Sequence, residues 1–152
     1  MSGSYQVPSA IHNLTRKCWA KSLTDAGIGY EHFPELGGRR KPRQDSRNTA
    51  WRNDAFRGYA DHMETPQFVA GIARLEEAAE RRGAAAIMCA EAVWWKCHRS
   101  LIADYLKAQG AEVIHILNAN EAEPHPFTSA AKIVDGKLDY SGTEREPRFQ
   151  GL

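Results

Sequence analysis

Between Met88 and Ser100 the sequence reads MCAEAVWWKCHRS, which gathers two cysteines, a glutamate, two tryptophans and a Cys-His-Arg triplet into one short stretch. Cys97 precedes an apolar helical pattern. There the positive potential of a helix start, with His98 and Arg99 beside it, would favour the thiolate and make the sulfur a nucleophile. A small residue closing a tight strand-to-helix turn explains the same position equally well. Glu91 falls just beyond an apolar run, where a carboxylate could act as general base or bind a ribose hydroxyl. An ion pair between Glu91 and Arg99 is the plainer alternative. His98 suits a proton shuttle, a metal ligand or a helix-start hydrogen bonder. Cys89, closing the apolar run, is expected to be buried beside the ligand. The catalytic candidates are therefore Glu91, Cys97 and His98. No metal is assigned, because Cys89 and Cys97 have no second close pair to complete a zinc ribbon or finger, and a Cys89, Cys97 and His98 site is only geometrically conceivable.

A second group is basic: Arg39, Arg40, Lys41, Arg43, Arg47, Arg52 and Arg57 interleave with Trp51, Phe56 and Tyr59. Guanidiniums beside aromatic faces suit phosphate and base recognition. The bland reading is a solvated loop whose arginines pair with carboxylates elsewhere, Arg57 with Asp61 at i and i+4 for example. The ligand-binding candidates are Arg39, Arg52, Asn53, Arg57, Tyr59, Cys89, Trp95 and Arg99. Adjacent side chains diverge, so one of Trp94 and Trp95 should pack inward while the other faces the ligand. His125, in the turn "HPF", could swing toward the same rim.

Positioning these groups requires a core, and 152 residues can supply one for a single domain over residues 1–152. A net charge of +1 and 42% hydrophobic residues announce neither disorder nor a strongly basic nucleic-acid glove. No apolar run reaches the roughly 18 residues of a membrane helix, and the first residues lack the layout of a secretory signal. Cys18, Cys89 and Cys97 are an odd set, which favours reduced thiols and a cytoplasmic location. Cys18 is expected to pack inside.

Helical and extended patterns alternate along the chain. A helix is expected from His12 to Asp25, with Leu14, Cys18, Trp19 and Leu23 inward and Gly27 closing it, followed by a strand at "IGYEHF". Residues 37–54 form an arginine-rich loop, long enough to be functional or partly mobile. Thr65-Pro66 opens a helix with Phe68, Ile72 and Leu75 on one face, ending near Gly83. "AAAIMC" reads as a buried strand, His98 to Gln109 as a helix stopped by Gly110, and "EVIHIL" as the next strand. The expected fold is a single three-layer Rossmann-like α/β domain with a largely parallel sheet, Cys89 to Cys97 lying at the ligand-binding strand ends. Asp135-Gly136 marks a C-terminal β-hairpin over residues 130–140. Residues 141–152 form a tail.

In order, "LGGRR", "WRNDAFRGYADHMETPQF", "MCAEAVWWKCHRSLIADYL", "EVIHI" and "HPFTSAAKIVDGKLDY" resemble the bacterial and archaeal domain of unknown function 488 family, over about Val7 to Tyr140. Cys-Ala-Glu followed by Cys-His-Arg is the specific part. The resemblance implies an α/β fold and a site, but no assigned reaction. Members usually begin with a further strand and helix ending in an Asp-Val-Arg-like sequence, before a segment like "VPSAIHN". This chain starts near that segment, as a shortened version or as a sequence lacking part of the natural protein; if that strand is central, its arginine and aspartate are missing from the site.

The sequence thus points to an enzyme acting on an anionic ligand, a nucleotide or nucleic-acid phosphate, with the cofactor unknown. The alternatives are a non-enzymatic nucleic-acid or nucleotide binding module and a purely structural partner domain. Exposed strand edges could pair into a homodimer; no membrane partner is expected.

Overall fold

The computed structural model describes residues 16–142. The chain divides into two compact units, Met1–Pro34 and Glu35–Leu152. In the first, helix α1 spans Arg16–Asp25 and carries an exposed Lys21 to Asp25 pair at 2.7 Å. Cys18 is exposed and Trp19 is 38% exposed, contrary to the inward placement expected of them. So short a unit has too little chain to enclose a core of its own. Residues 28–33 form no strand. His12 and Leu14 lie outside the described residues.

The second unit is built on three helices: α2 at Asp54–Met63, α3 at Pro66–Arg82 and α4 at Arg99–Ala108. Each starts or stops where local chemistry dictates. Asn53 Oδ1 accepts from the amides of Ala55 and Phe56 at the start of α2. Thr65 caps α3 with Pro66 behind it, and Gly83, at φ 79°, ends that helix in the left-handed region. The apolar faces meet in a core of Tyr59, Met63, Phe68, Ile72, Leu75, Leu101 and Ile102. Tyr59 and Phe68 pack edge to face at 6.2 Å, and Phe68 and Tyr105 at 5.1 Å.

The strands depart from the expected parallel sheet. β1 (Ile114–Asn118) pairs antiparallel with β2 (Glu121–Pro124), and β3 (Lys132–Val134) pairs antiparallel with β4 (Lys137–Asp139). Among the described residues these are two separate two-stranded sheets, giving a mixed helix and strand fold rather than a single Rossmann-like layer. The cause is local. Asn118 turns the chain at once, its Oδ1 accepting from the Asn120 amide at 2.9 Å, and so short a connection pairs strands antiparallel. "AAAIMC" gains no ladder; Met88 is 56% exposed and Ile116 of β1 is 72% exposed. The hairpin is formed, with Asp135 at φ 49° and Gly136 at φ 75° in its turn.

The arginine-rich loop has little regular structure, but buried polar contacts pin it. The Asp61 carboxylate, 3% exposed on α2, accepts from the Arg43 amide (2.7 Å), Ser46 Oγ (2.6 Å) and Asn48 Nδ2 (2.8 Å). Further along, the Ala50 amide donates to Tyr140 O at 3.0 Å and the Gly142 amide to Thr49 Oγ1 at 2.9 Å. Gly58 permits the contact: a Cβ there would lie 2.5 Å from the Arg40 carbonyl oxygen. Burial opposes the Asp61 charge, yet these donors outweigh it and hold the carboxyl below its usual range. A depressed pKa stabilises the fold above the unfolded carboxylate value and loses that contribution as pH falls through the folded one. Asp61→Ala should therefore cost about 2–3 kcal/mol near neutral pH by urea denaturation, with the difference from the native chain shrinking below about pH 4.

Candidate functional site

The chain turns through a 3-10 segment, Trp94–Lys96, into α4, and this turn delivers the Cys-His-Arg triplet. Cys97 is 2% exposed and Cys89 half-buried. Their sulfurs lie 2.8 Å apart. Cys97 Sγ also accepts from the Arg99 amide and from Arg99 Nε, both at 3.4 Å, and lies 3.5 Å from His98 Nδ1. Desolvation opposes the thiolate, but His98, the Arg99 amide, the Cys89 thiol and the Arg99 guanidinium together bring the Cys97 pKa down to about 6. Burial, and then the neighbouring sulfur, push Cys89 the other way. Of the pair, Cys97 is thus the thiol that ionises more readily.

Arg99 does not pair with the Glu91 carboxylate. Its Nη2 donates to the Glu91 carbonyl oxygen at 2.6 Å, and the exposed Glu91 carboxylate makes no ion pair among the described residues. Two of the five guanidinium N–H donors are engaged in these contacts. The His98 ring packs 5.0 Å from that of Tyr59. Gly38 seats it from the other side, where a Cβ would fall 2.2 Å from Nδ1. Gly38 near the loop's start is therefore fitted to His98 of the sulfur-bearing turn.

Cys89, Cys97 and His98 offer ligand atoms within 4.8 Å of one another, a donor set suited to zinc or copper(I). Two tetrahedral Zn–S bonds of about 2.3 Å would hold the sulfurs about 3.8 Å apart. At 2.8 Å the pair is set closer than such a site requires.

A buried polar chain flanks this turn. The Asp104 carboxylate, 0% exposed on α4, accepts from His125 Nε2 (2.9 Å), the Thr128 amide (2.9 Å), Thr128 Oγ1 (2.5 Å) and Tyr140 OH (2.8 Å). His125 Nδ1 lies 2.7 Å from His115 Nε2. With both rings neutral, one assignment satisfies every contact: His125 donates to Asp104, His115 donates to His125, and His115 Nδ1 is left with its lone pair. The His115 ring stacks on Trp94 at 4.0 Å, and Trp94 Nε1 donates to Glu123 at 3.0 Å. Burial, then the neighbouring His125, lower the His115 pKa to about 4, with Arg99 adding to the effect. The stack on Trp94, a residue of the 3-10 segment, places His115 beside the thiol turn. Of these groups the sequence flagged His125 and Trp94; His115 and Asp104 were missed, and their one signal is a polar residue within an otherwise apolar strand or helix face.

The basic candidates do not all converge here. Tyr59 is fully buried and its hydroxyl donates to Leu36 O at 2.8 Å, so it shapes the core and offers no ligand contact. Asn53 is occupied as a helix cap, and Arg57 pairs with Asp54, not Asp61. Arg43, marked only as part of the basic stretch, pairs with Glu64 at 2.6 Å. Arg52 and Asn53 line a separate open cleft of about 540 Å³ with Trp51, Phe56, Ser129 and Lys132. Its lining includes no residue of the thiol turn. Arg39 is exposed beside Gly38, and Trp95 is 53% exposed.

Fold and site together define a mixed α/β protein that presents a thiol pair, a histidine and an arginine at a helix start. The chain belongs to the family described as Domain of unknown function DUF488, whose model matches residues 7–106. Neither the curated proteins nor the solved structures contain a match to it. No helix among the described residues is long and apolar enough to cross a membrane.

Asp104→Ala strands four donors at once and should cost more than about 3 kcal/mol in urea denaturation. Gly38→Ala should leave helical circular dichroism intact while displacing His98, seen as altered imidazole and Tyr59 ring signals in NMR spectra.

Proposed function

We propose that this chain is a thiol-dependent enzyme of a reducing, cytoplasmic compartment, acting on an anionic, phosphate-bearing substrate such as a nucleotide or nucleic acid. The observation that carries this reading is the convergence on Cys97 Sγ of the Arg99 amide, Arg99 Nε and His98 Nδ1 at the start of α4. Donors gathered on one sulfur favour its ionised form, the form that attacks. In this reading Cys97 is the nucleophile and the remaining Arg99 donors hold the substrate anion. His98 and Glu91 exchange protons with the reacting groups, and Arg39 and Trp95 line the approach.

A non-enzymatic nucleic-acid or nucleotide binding module is the second reading. It is favoured by the cleft of Arg52, Asn53 and Lys132, where Trp51 Nε1 is buried without an acceptor. A binding constant that falls steeply with salt, with no turnover, would single it out.

A thermal-shift series with nucleotides, short DNA, short RNA and inorganic phosphate tests the anion. Stabilisation that Arg99→Ala abolishes and Arg52→Ala leaves intact supports the thiol site; the reverse supports the cleft. The ultraviolet absorbance of the Cys97 thiolate should titrate with a midpoint near pH 6, and its midpoint should rise toward that of an ordinary thiol in Arg99→Ala and in His98→Ala. The sign for stability follows. Because the folded pKa is depressed, the contribution is full above the unfolded thiol value of about 8.5 and disappears as pH falls through about 6. The advantage of the native chain over Cys97→Ser should narrow across that window.

A further inference from the structure

We infer that Cys89 and Cys97 form a modification site for hydroperoxides, closing into a reversible disulfide that removes the nucleophile. The inference rests on the reading of Cys97 as the reactive thiolate and adds an oxidant and a resolving thiol to it. Its geometric basis is a Sγ to Sγ distance of 2.8 Å between two cysteines that are not bonded to each other. A disulfide needs about 2.05 Å, less than 1 Å further. The movement falls on Cys89, whose segment, residues 84–89, is in neither helix nor strand, while Cys97 is anchored at the start of α4.

The two thiols are also unequal in the way such chemistry requires. Cys97 is ringed by the Arg99 amide and guanidinium, whereas Cys89 receives the Glu91 amide at 3.3 Å and donates more distantly to the Glu91 carbonyl oxygen at 3.9 Å. Cys97 is 2% exposed, which suits an oxidant as small as hydrogen peroxide.

The reaction balances with hydrogen peroxide as the oxidant. The Cys97 thiolate attacks one peroxide oxygen; an S–O bond forms, the O–O bond breaks, and the departing hydroxide takes a proton from solvent to become water. This leaves Cys97 as a sulfenic acid. The Cys89 thiol then gives its proton to the sulfenic hydroxyl while its sulfur attacks that of Cys97. The S–O bond breaks, a second water leaves, and the disulfide forms. Two thiols have lost two electrons to the peroxide, and a dithiol reductant returns them. The exposed Cys18 provides an internal comparison.

The full chain, reduced and then exposed to hydrogen peroxide, decides the matter by peptide mass spectrometry. The expected product is one linked peptide pair, Cys89 to Cys97, lighter by two hydrogens and restored by dithiothreitol. Cys89→Ser should instead accumulate Cys97 sulfenic acid, trapped by dimedone, and then sulfinic acid. In Cys97→Ser, oxidation of Cys89 should slow by more than roughly tenfold. Circular dichroism checks that the variants fold, and the native chain alone still decides the outcome if one does not. The inference is overturned if native Cys97 proceeds to sulfinic acid as fast as in Cys89→Ser, if links form only between chains, or if Cys18 oxidises while the pair stays reduced. No phosphate ligand enters this experiment, so failure of the substrate reading and failure of the disulfide are read separately.

Discussion

The buried carboxylate of Asp104 ties the C-terminal segments of the second unit to α4. Asp104 sits on α4 with no exposure to solvent, and each of its oxygens accepts two hydrogen bonds. A carboxyl group in that position is tolerable only when its oxygens are fully satisfied, so the chain must bring His125, Thr128 and Tyr140 to one place. Satisfying it fixes the turn before the hairpin and the residue after β4. Burial, then the adjacent carboxylate, push the Tyr140 phenol far above its ordinary pKa, so it remains a donor. Tyr140 in turn accepts the Ala50 amide through its carbonyl, and its ring packs 5.6 Å from Trp51. The arginine-rich loop is thereby tied to α4 through Asp104 as well as to α2 through Asp61.

The thiol turn exploits this scaffold. α4 carries Asp104 on its buried side and receives Cys97, His98 and Arg99 at its start, so the helix that is anchored most firmly is the one that aims the sulfur. Gly38 brings the loop against His98, and His98 lies against Tyr59, whose hydroxyl returns to the Leu36 carbonyl. The loop and the thiol turn are thus parts of one packed arrangement, although Arg52 and Asn53 lie at a separate cleft.

Much of the local architecture was legible in the sequence. Thr65-Pro66, Gly83, Gly110 and Asp135-Gly136 each mark the boundary they were expected to mark, because caps and tight turns depend on residues only a few positions apart. The Cys-His-Arg cluster was legible for the same reason. The parallel sheet was not, since apolar runs such as "AAAIMC" report a preference for burial and not the neighbour that would provide it. Nor was the chain of Asp104, His125 and His115. Its members are 21 and 10 positions apart, and a buried carboxylate in a helix gives no local indication of what satisfies it. Tyr59 illustrates the converse: it stands among arginines in sequence, yet its ring belongs to the core.

With both imidazoles neutral, the hydrogen bonds from His115 through His125 to Asp104 all point the same way, each ring donating inward. Each ring in such a row is oriented by the next one inward, so the tautomer that His115 shows at the surface is set from the buried end.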